Sequence, residues 1–208
     1  MPKPTFFNLP EEKRQKLVHA AEEEFSRVPL FEASISNIVK AAGIPRGSFY
    51  QYFEDKEDIF FFLLNEQAEK RKESLISMLK KYDGDIFKAV TEIYRKFLYE
   101  LPDEEERNFL KNAFLNVTHK IEDAFTTMFS GTQSNEQIEE IKRLINRDIL
   151  NISEEKELFY IVQIITAVVF RNFVEKFARE LSDDEAMDNF IVEMNLLKRG
   201  LHKQNGNG

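Results

Sequence analysis

Cysteine is absent from the 208 residues, which excludes disulfides, thiolate metal sites and cysteine nucleophiles. Histidine occurs three times, at His19, His119 and His202, on three separate segments, so no pair has metal-ligand spacing. A nucleophile elbow and a phosphate-binding glycine loop are also missing. No catalytic residue, metal or cofactor is therefore expected. Glycine and proline are sparse, at 7 and 6, and alternating β-branched runs between turn signals are lacking, which argues against strands. The N-terminus has no apolar run of signal-peptide length, and the most apolar stretch, 158–178, is interrupted by Gln163, Arg171, Asn172, Glu175 and Lys176. A soluble, cytoplasmic protein without a membrane partner is the expectation.

What is present is the balance of a helix-rich globular chain, with 42% hydrophobic and 32% charged residues. The net charge of -8 is unevenly spread. Residues 1–56 hold as many Lys and Arg as Asp and Glu, so the whole acidic excess lies beyond them. The N-terminal part is thus free to present a locally basic face.

Helix-start signals punctuate the chain, each a polar capping residue followed by an acid or amide three positions on. Asn8 with Glu11 opens a helix to about Arg27, and Ser34 opens one in which Ile35, Ile38, Val39 and Ala42 form an inward stripe. Gly43 ends that helix, and Pro45 begins the next, with Phe49 and Phe53 turned inward. Asp55 caps a long helix to about Tyr82, and Asp85 caps another to about Leu101. Asp103 with Glu106, Ser134 with Gln137, Ser153, and Ser182 with Glu185 start the remaining four. The fold class is all-α, with about nine helices.

The stretch Ser34–Lys56 reads SISNIVKAAGIPRGSFYQYFEDK, two short helices meeting at a turn that contains glycine. Packing Phe49 and Phe53 inward leaves Arg46, Ser48, Gln51 and Tyr52 on a short outward face of donors and a planar amide, groups that suit base edges. Ala42-Gly43-Ile44, Gly47, Tyr50, Tyr52-Phe53 and Lys56-Glu57 within this run resemble the N-terminal domain of TetR-family repressors, over roughly residues 10–60. The resemblance implies a three-helix helix-turn-helix head over residues 1–56 and a larger helical ligand-binding and dimerisation domain over 57–208. It implies that Ser34 and Ser36, with Asn37 as a further candidate, meet phosphate or a base edge. Arg46, Gly47, Ser48, Gln51 and Tyr52 would face the major groove, Tyr50 would donate to phosphate, and Lys56 would clamp the backbone. Arg46 and Gln51 suit sequence reading, through guanine and adenine. Pro45 stands where the family usually has serine or threonine, and Gln51 where an aromatic residue is common.

The helix over 153–180 is apolar almost all round, so it needs cover on two sides. Its own domain would supply one side and a second subunit the other, with 182–200 as the partner helix in a homodimer that binds a palindromic DNA operator. A small apolar or amphipathic effector would release the operator, from a pocket implied among Phe62, Tyr94, Leu98, Phe114, Phe125 and Gln163. A plain helical core is the alternative for these side chains. Arg171 and Asn172 are expected to pair across the dimer or to hold a ligand's carboxylate.

Overall fold

The computed structural model describes residues 1–100, 104–116 and 136–201. Phe125 and the helix-start residues Asp103 and Ser134 lie outside them. Among the described residues there are ten α-helices, one 3-10 turn at Arg147–Ile149 and no strand. The helices are α1 (Pro4–Phe7), α2 (Glu11–Arg27), α3 (Ile35–Ala42), α4 (Arg46–Tyr52) and α5 (Lys56–Lys81), followed by α6 (Ile86–Glu100), α7 (Glu104–Leu115), α8 (Glu136–Leu144), α9 (Glu155–Ala178) and α10 (Asp183–Leu201).

Two compact units arise from the described residues, 1–67 with 104–116 and 68–100 with 136–201. In the first, α2 packs on α3 and on α7, and α4 packs on α1 and α3. Phe25 and Phe60 meet edge to face at 5.1 Å between ring centroids, and Phe109 of α7 lies 5.4 Å from Phe60. The Asn112 amide donates at 2.9 Å to the carbonyls of Phe25 and Ser26, closing the C-terminal turn of α2. In the second unit, α10 packs on α6 and α9. Tyr94 stacks on Phe190 at 4.1 Å, and Phe97 meets Phe173 at 4.4 Å.

The helix ends obey local chemistry. Gly43 sits at φ 67 and ψ 32, a left-handed conformation that glycine adopts at little cost, and the Ile44 N–H returns to the Val39 carbonyl at 3.0 Å. Gly84, at φ 80, leaves no room for a Cβ, which would run into the backbone of Leu144 and Asn146. Asp55 accepts from the Asp58 N–H at 2.9 Å and Asp85 from the Lys88 N–H at 3.0 Å, both as N-caps. Ser182 and Glu185 cap each other's backbone N–H groups, a full capping box.

Three starts differ from the sequence reading. Pro10, not Asn8, precedes α2, because residues 4–7 form a helix of their own that buries Phe6 completely. Glu154, not Ser153, caps α9, with Glu157 reaching back to the Glu154 N–H at 3.0 Å. Ser34 precedes α3 but makes no side-chain cap. α9 is long and apolar enough to cross a membrane by length and composition alone. Leu158, Ile161, Ile165, Thr166, Asn172, Phe173 and Phe177 of this helix are buried in the protein. Arg171 and Asn172 find their partners within the chain. Arg171 bonds Glu193 and Glu175 at 2.7 Å, and Asn172 bonds Glu193 at 2.7 Å and the Val168 carbonyl at 2.8 Å.

Candidate nucleic-acid interface

α3 and α4 are held at a fixed angle by the turn at Gly43–Pro45 and by the buried side chains Ile38, Val39, Ala42, Phe49 and Phe53. Pro45, at φ -61 and ψ 143, occupies the position before α4 and offers no side-chain cap, so the Ser48 N–H bonds its carbonyl at 2.9 Å. With Phe49 inward, Arg46, Gly47, Tyr50 and Gln51 are exposed, and Ser48 and Tyr52 are half-buried. Arg46 donates to the Ser36 hydroxyl and, at 3.4 Å, to the Tyr50 hydroxyl. Ser36 of α3 and Arg46 and Tyr50 of α4 therefore form one polar patch.

Other anticipated residues are held elsewhere. The Asn37 amide lies on the Glu24 carboxylate at 3.1 and 3.3 Å. The Ser34 N–H also donates to Glu24, at 2.8 Å. The Lys56 ammonium donates to the carbonyls of Phe31 and Ala33 at 2.8 and 2.9 Å, which leaves one of its three N–H groups for a partner.

Glu24 is the organising residue that sequence reasoning missed. Its side chain is 5% exposed and also accepts from Arg27 at 2.6 Å, so one carboxylate ties the end of α2 to the start of α3. The signal was present in the spacing. Leu17, Ala20, Ala21 and Phe25 line the buried stripe of α2, and Glu24 falls on that stripe as a lone acid. Burial acts most strongly on this carboxyl and raises its pKa. The bonds from Arg27, the Ser34 N–H and Asn37 together outweigh burial and hold the pKa below the ordinary glutamate value.

A group depressed on folding stabilises above its unfolded pKa, about 4.3 for glutamate, and loses that contribution as pH falls through the folded value. Glu24→Gln is expected to destabilise the protein at pH 7 by about 1–3 kcal/mol, because the Ser34 N–H and Arg27 lose an ionised acceptor. Thermal melts followed by circular dichroism should show the gap between wild type and variant narrowing below about pH 4. A gap that stays constant down to pH 3 would deny Glu24 this role.

The residues expected to line a pocket are distributed between the units. Phe62 belongs to the first, its ring 5.2 Å from Phe6 and 6.0 Å from Phe53, and Phe114 of α7 is buried in the same unit. Tyr94 and Leu98 are buried in the second, and Gln163 is half-buried there. The Tyr94 hydroxyl is buried with no hydrogen-bond partner, and burial, reinforced by Glu193 and Asp183, pushes its pKa up. Among the described residues no group of three or more His, Asp or Glu is arranged to hold a metal ion.

Comparison with known proteins matches two family descriptions. "Bacterial regulatory proteins, tetR family" covers residues 17–62, and "Tetracyclin repressor-like, C-terminal domain" covers 85–201. The HTH-type transcriptional regulator AcrR of Shigella flexneri is 30% identical over 112 residues, 54% of this chain and 51% of its own. The uncharacterized HTH-type transcriptional regulator YdgC of Bacillus subtilis (strain 168) is 36% identical over 107 residues, 49% of this chain and 55% of its own. The chain thus spans about half the length of the curated relatives it matches. Among solved structures, SmeT, the repressor of the Stenotrophomonas maltophilia multidrug efflux pump SmeDEF, aligns with a TM-score of 0.67, covering 94% of each chain. At 17% identity that likeness concerns the fold alone.

Proposed function

Because the chain belongs to the TetR family of bacterial regulatory proteins, we propose that it is a cytoplasmic, non-enzymatic repressor. It binds a palindromic DNA operator as a homodimer and is released by a small apolar or amphipathic molecule. The observation that carries this reading is the outer face of α4. Gly47 lies in the first turn of that helix, on the outer side. Apart from its chain neighbours and the backbone of its own helix, nothing comes within 4 Å of where its Cβ would stand, so packing against the rest of the protein does not demand glycine there. Open space beside Arg46, Ser48 and Gln51 suits the close approach of a second backbone, as in a DNA major groove.

In this reading Arg46 and Gln51 read base edges, with Tyr52 against a thymine methyl, and Ser34, Ser36, Asn37, Tyr50 and Lys56 position the head on phosphates. Sequencing of the genomic fragments retained by purified protein tests it. A short palindrome with half-sites about 34 Å apart supports the reading, and no enrichment at physiological salt sinks it.

The homodimer is supported by exposed apolar side chains on the last two helices. Tyr160 and Ile164 on α9, and Ile191, Val192 and Leu196 on α10, are exposed at turn-by-turn spacing. Exposed apolar residues grouped in this way support association there. Val192→Glu/Leu196→Glu is expected to sediment as a monomer and to bind the operator at least tenfold more weakly, the loss a ~1.4 kcal/mol penalty brings. A variant that remains dimeric would move the interface elsewhere. Effector binding is proposed for the second unit around Tyr94 and Leu98, supported by the Tyr94 hydroxyl, a buried donor with no partner in the protein. An effector with differential affinity for two arrangements of the dimer would shift operator binding.

A further inference from the structure

Helix α4 has seven residues and no side-chain cap at its start, so by itself it is too short to be stable in water. Its last four carbonyls, the groups every helix leaves unpaired, all have partners. The Phe49 carbonyl accepts from the Phe53 N–H at 2.9 Å. The other three are served by the N-terminal segment of the chain. The Tyr50 carbonyl accepts from the Lys3 ammonium at 2.8 Å, the Gln51 carbonyl from the Thr5 hydroxyl, and the Tyr52 carbonyl from the Lys3 N–H at 2.8 Å. The segment is held in place by Phe6, fully buried, whose ring lies 4.9 Å from Phe53 and 5.2 Å from Phe62. The Lys3 charge also lies at the helix end that the peptide dipoles make negative.

We propose that Lys3, Thr5 and Phe6 are positioning residues for DNA reading: they complete the C-terminal turn of α4 from outside and fix the direction of Gln51 and Tyr52. This inference rests on α4 being the reading helix. Arg46 projects from the first turn of α4, which the Pro45 carbonyl and the Gly43 turn secure, so its contact depends little on the segment. The clasp divides the reading face into a half set by the helix-turn-helix and a half set by residues 3–6.

The test uses full-length wild type, Lys3→Met/Thr5→Val, Thr5→Ser and Arg46→Ala. Each is measured for base preference by selection from a randomised operator, for operator affinity across a salt series, and for melting temperature. Lys3→Met keeps the stem without the ammonium, and Thr5→Val keeps the shape without the hydroxyl. Both sites are exposed, so the fold should survive. Lys3→Met/Thr5→Val is expected to bind the wild-type operator about tenfold more weakly. It should lose base preference only at positions that Arg46→Ala leaves intact, with the salt dependence unchanged because the phosphate contacts remain. Thr5→Ser should behave as wild type.

Unchanged affinity and preference in Lys3→Met/Thr5→Val, beside a clear loss in Arg46→Ala, would overturn the clasp and leave the reading helix standing. A uniform loss over all positions with a lowered melting temperature would also overturn it, as general destabilisation. If Arg46→Ala changes nothing, α4 does not read DNA and both readings fall.

Discussion

Arg46→Ala/Gln51→Ala is expected to lose the enriched palindrome altogether, retaining genomic DNA no better than at random, while its circular dichroism and melting temperature match wild type. Each bidentate side chain-to-base contact discriminates by about 1–3 kcal/mol, and a symmetric dimer makes each contact twice. Four such contacts sum to roughly 4–12 kcal/mol, which spans the whole interval of about 4–10 kcal/mol between specific and non-specific binding. The cost of freeing Arg46 does not reverse this. In the free protein its guanidinium rests on the Ser36 and Tyr50 hydroxyls at an exposed site, and such bonds are worth about 0.5–1.5 kcal/mol net. On DNA a guanine edge would accept both guanidinium donors in place of the resting contacts. Continued enrichment of the same palindrome by the double variant would mean that the sequence is read elsewhere.

The second large effect is on stability. Phe190→Ala should destabilise the protein by about 3–5 kcal/mol, the range for truncating a fully buried phenylalanine. For a chain of this size each kcal/mol moves the melting temperature by about 2–4 °C, so a fall of roughly 6–20 °C is expected. The ring is 0% exposed and stacks on Tyr94 at 4.1 Å with an interplanar angle of 24°, in a unit whose aromatic contacts run on from Tyr94 through Phe173 to Phe97. Phe190→Leu, which fills most of the space, should recover more than half of the loss. A fall of less than 3 °C for Phe190→Ala would show that the site collapses around the vacancy.

The sequence carried those parts of the fold that depend on neighbours in the chain. Gly43 had to be a helix stop because only glycine takes its φ easily, and Asp55, Asp85 and Ser182 with Glu185 had to be caps because their partners stand three residues away. The inward stripe of α3 was legible for the same reason. What escaped was long-range. Asn8 with Glu11 looked like a capping box, and nothing near it revealed that Phe6 would be drawn onto Phe53 and Phe62, pulling residues 4–7 into a separate helix. Ser34 looked like a side-chain cap, but its N–H is answered by Glu24, ten residues earlier. Arg171 and Asn172 looked like groups awaiting an outside partner, and Glu193 meets both. Periodicity shows which face of a helix is buried and is silent about what buries it.

The attachment of α7 to the first unit bears on when that unit can come into being. Phe25 and Phe60 are covered by Phe109, and the end of α2 is closed by Asn112, yet these two residues lie more than forty positions beyond Gln67. During synthesis the helix-turn-helix leaves the ribosome well before its last wall. At about 5–20 residues per second, the gap to residue 116 takes roughly 2–10 s. For that interval a nascent chain holds α4 and leaves Phe25 and Phe60 without the cover of Phe109. If α4 reads DNA as proposed, operator binding waits on the translation of residues 104–116, and a ribosome stalled between the two segments would hold out a head that is spelled out in full but not yet closed.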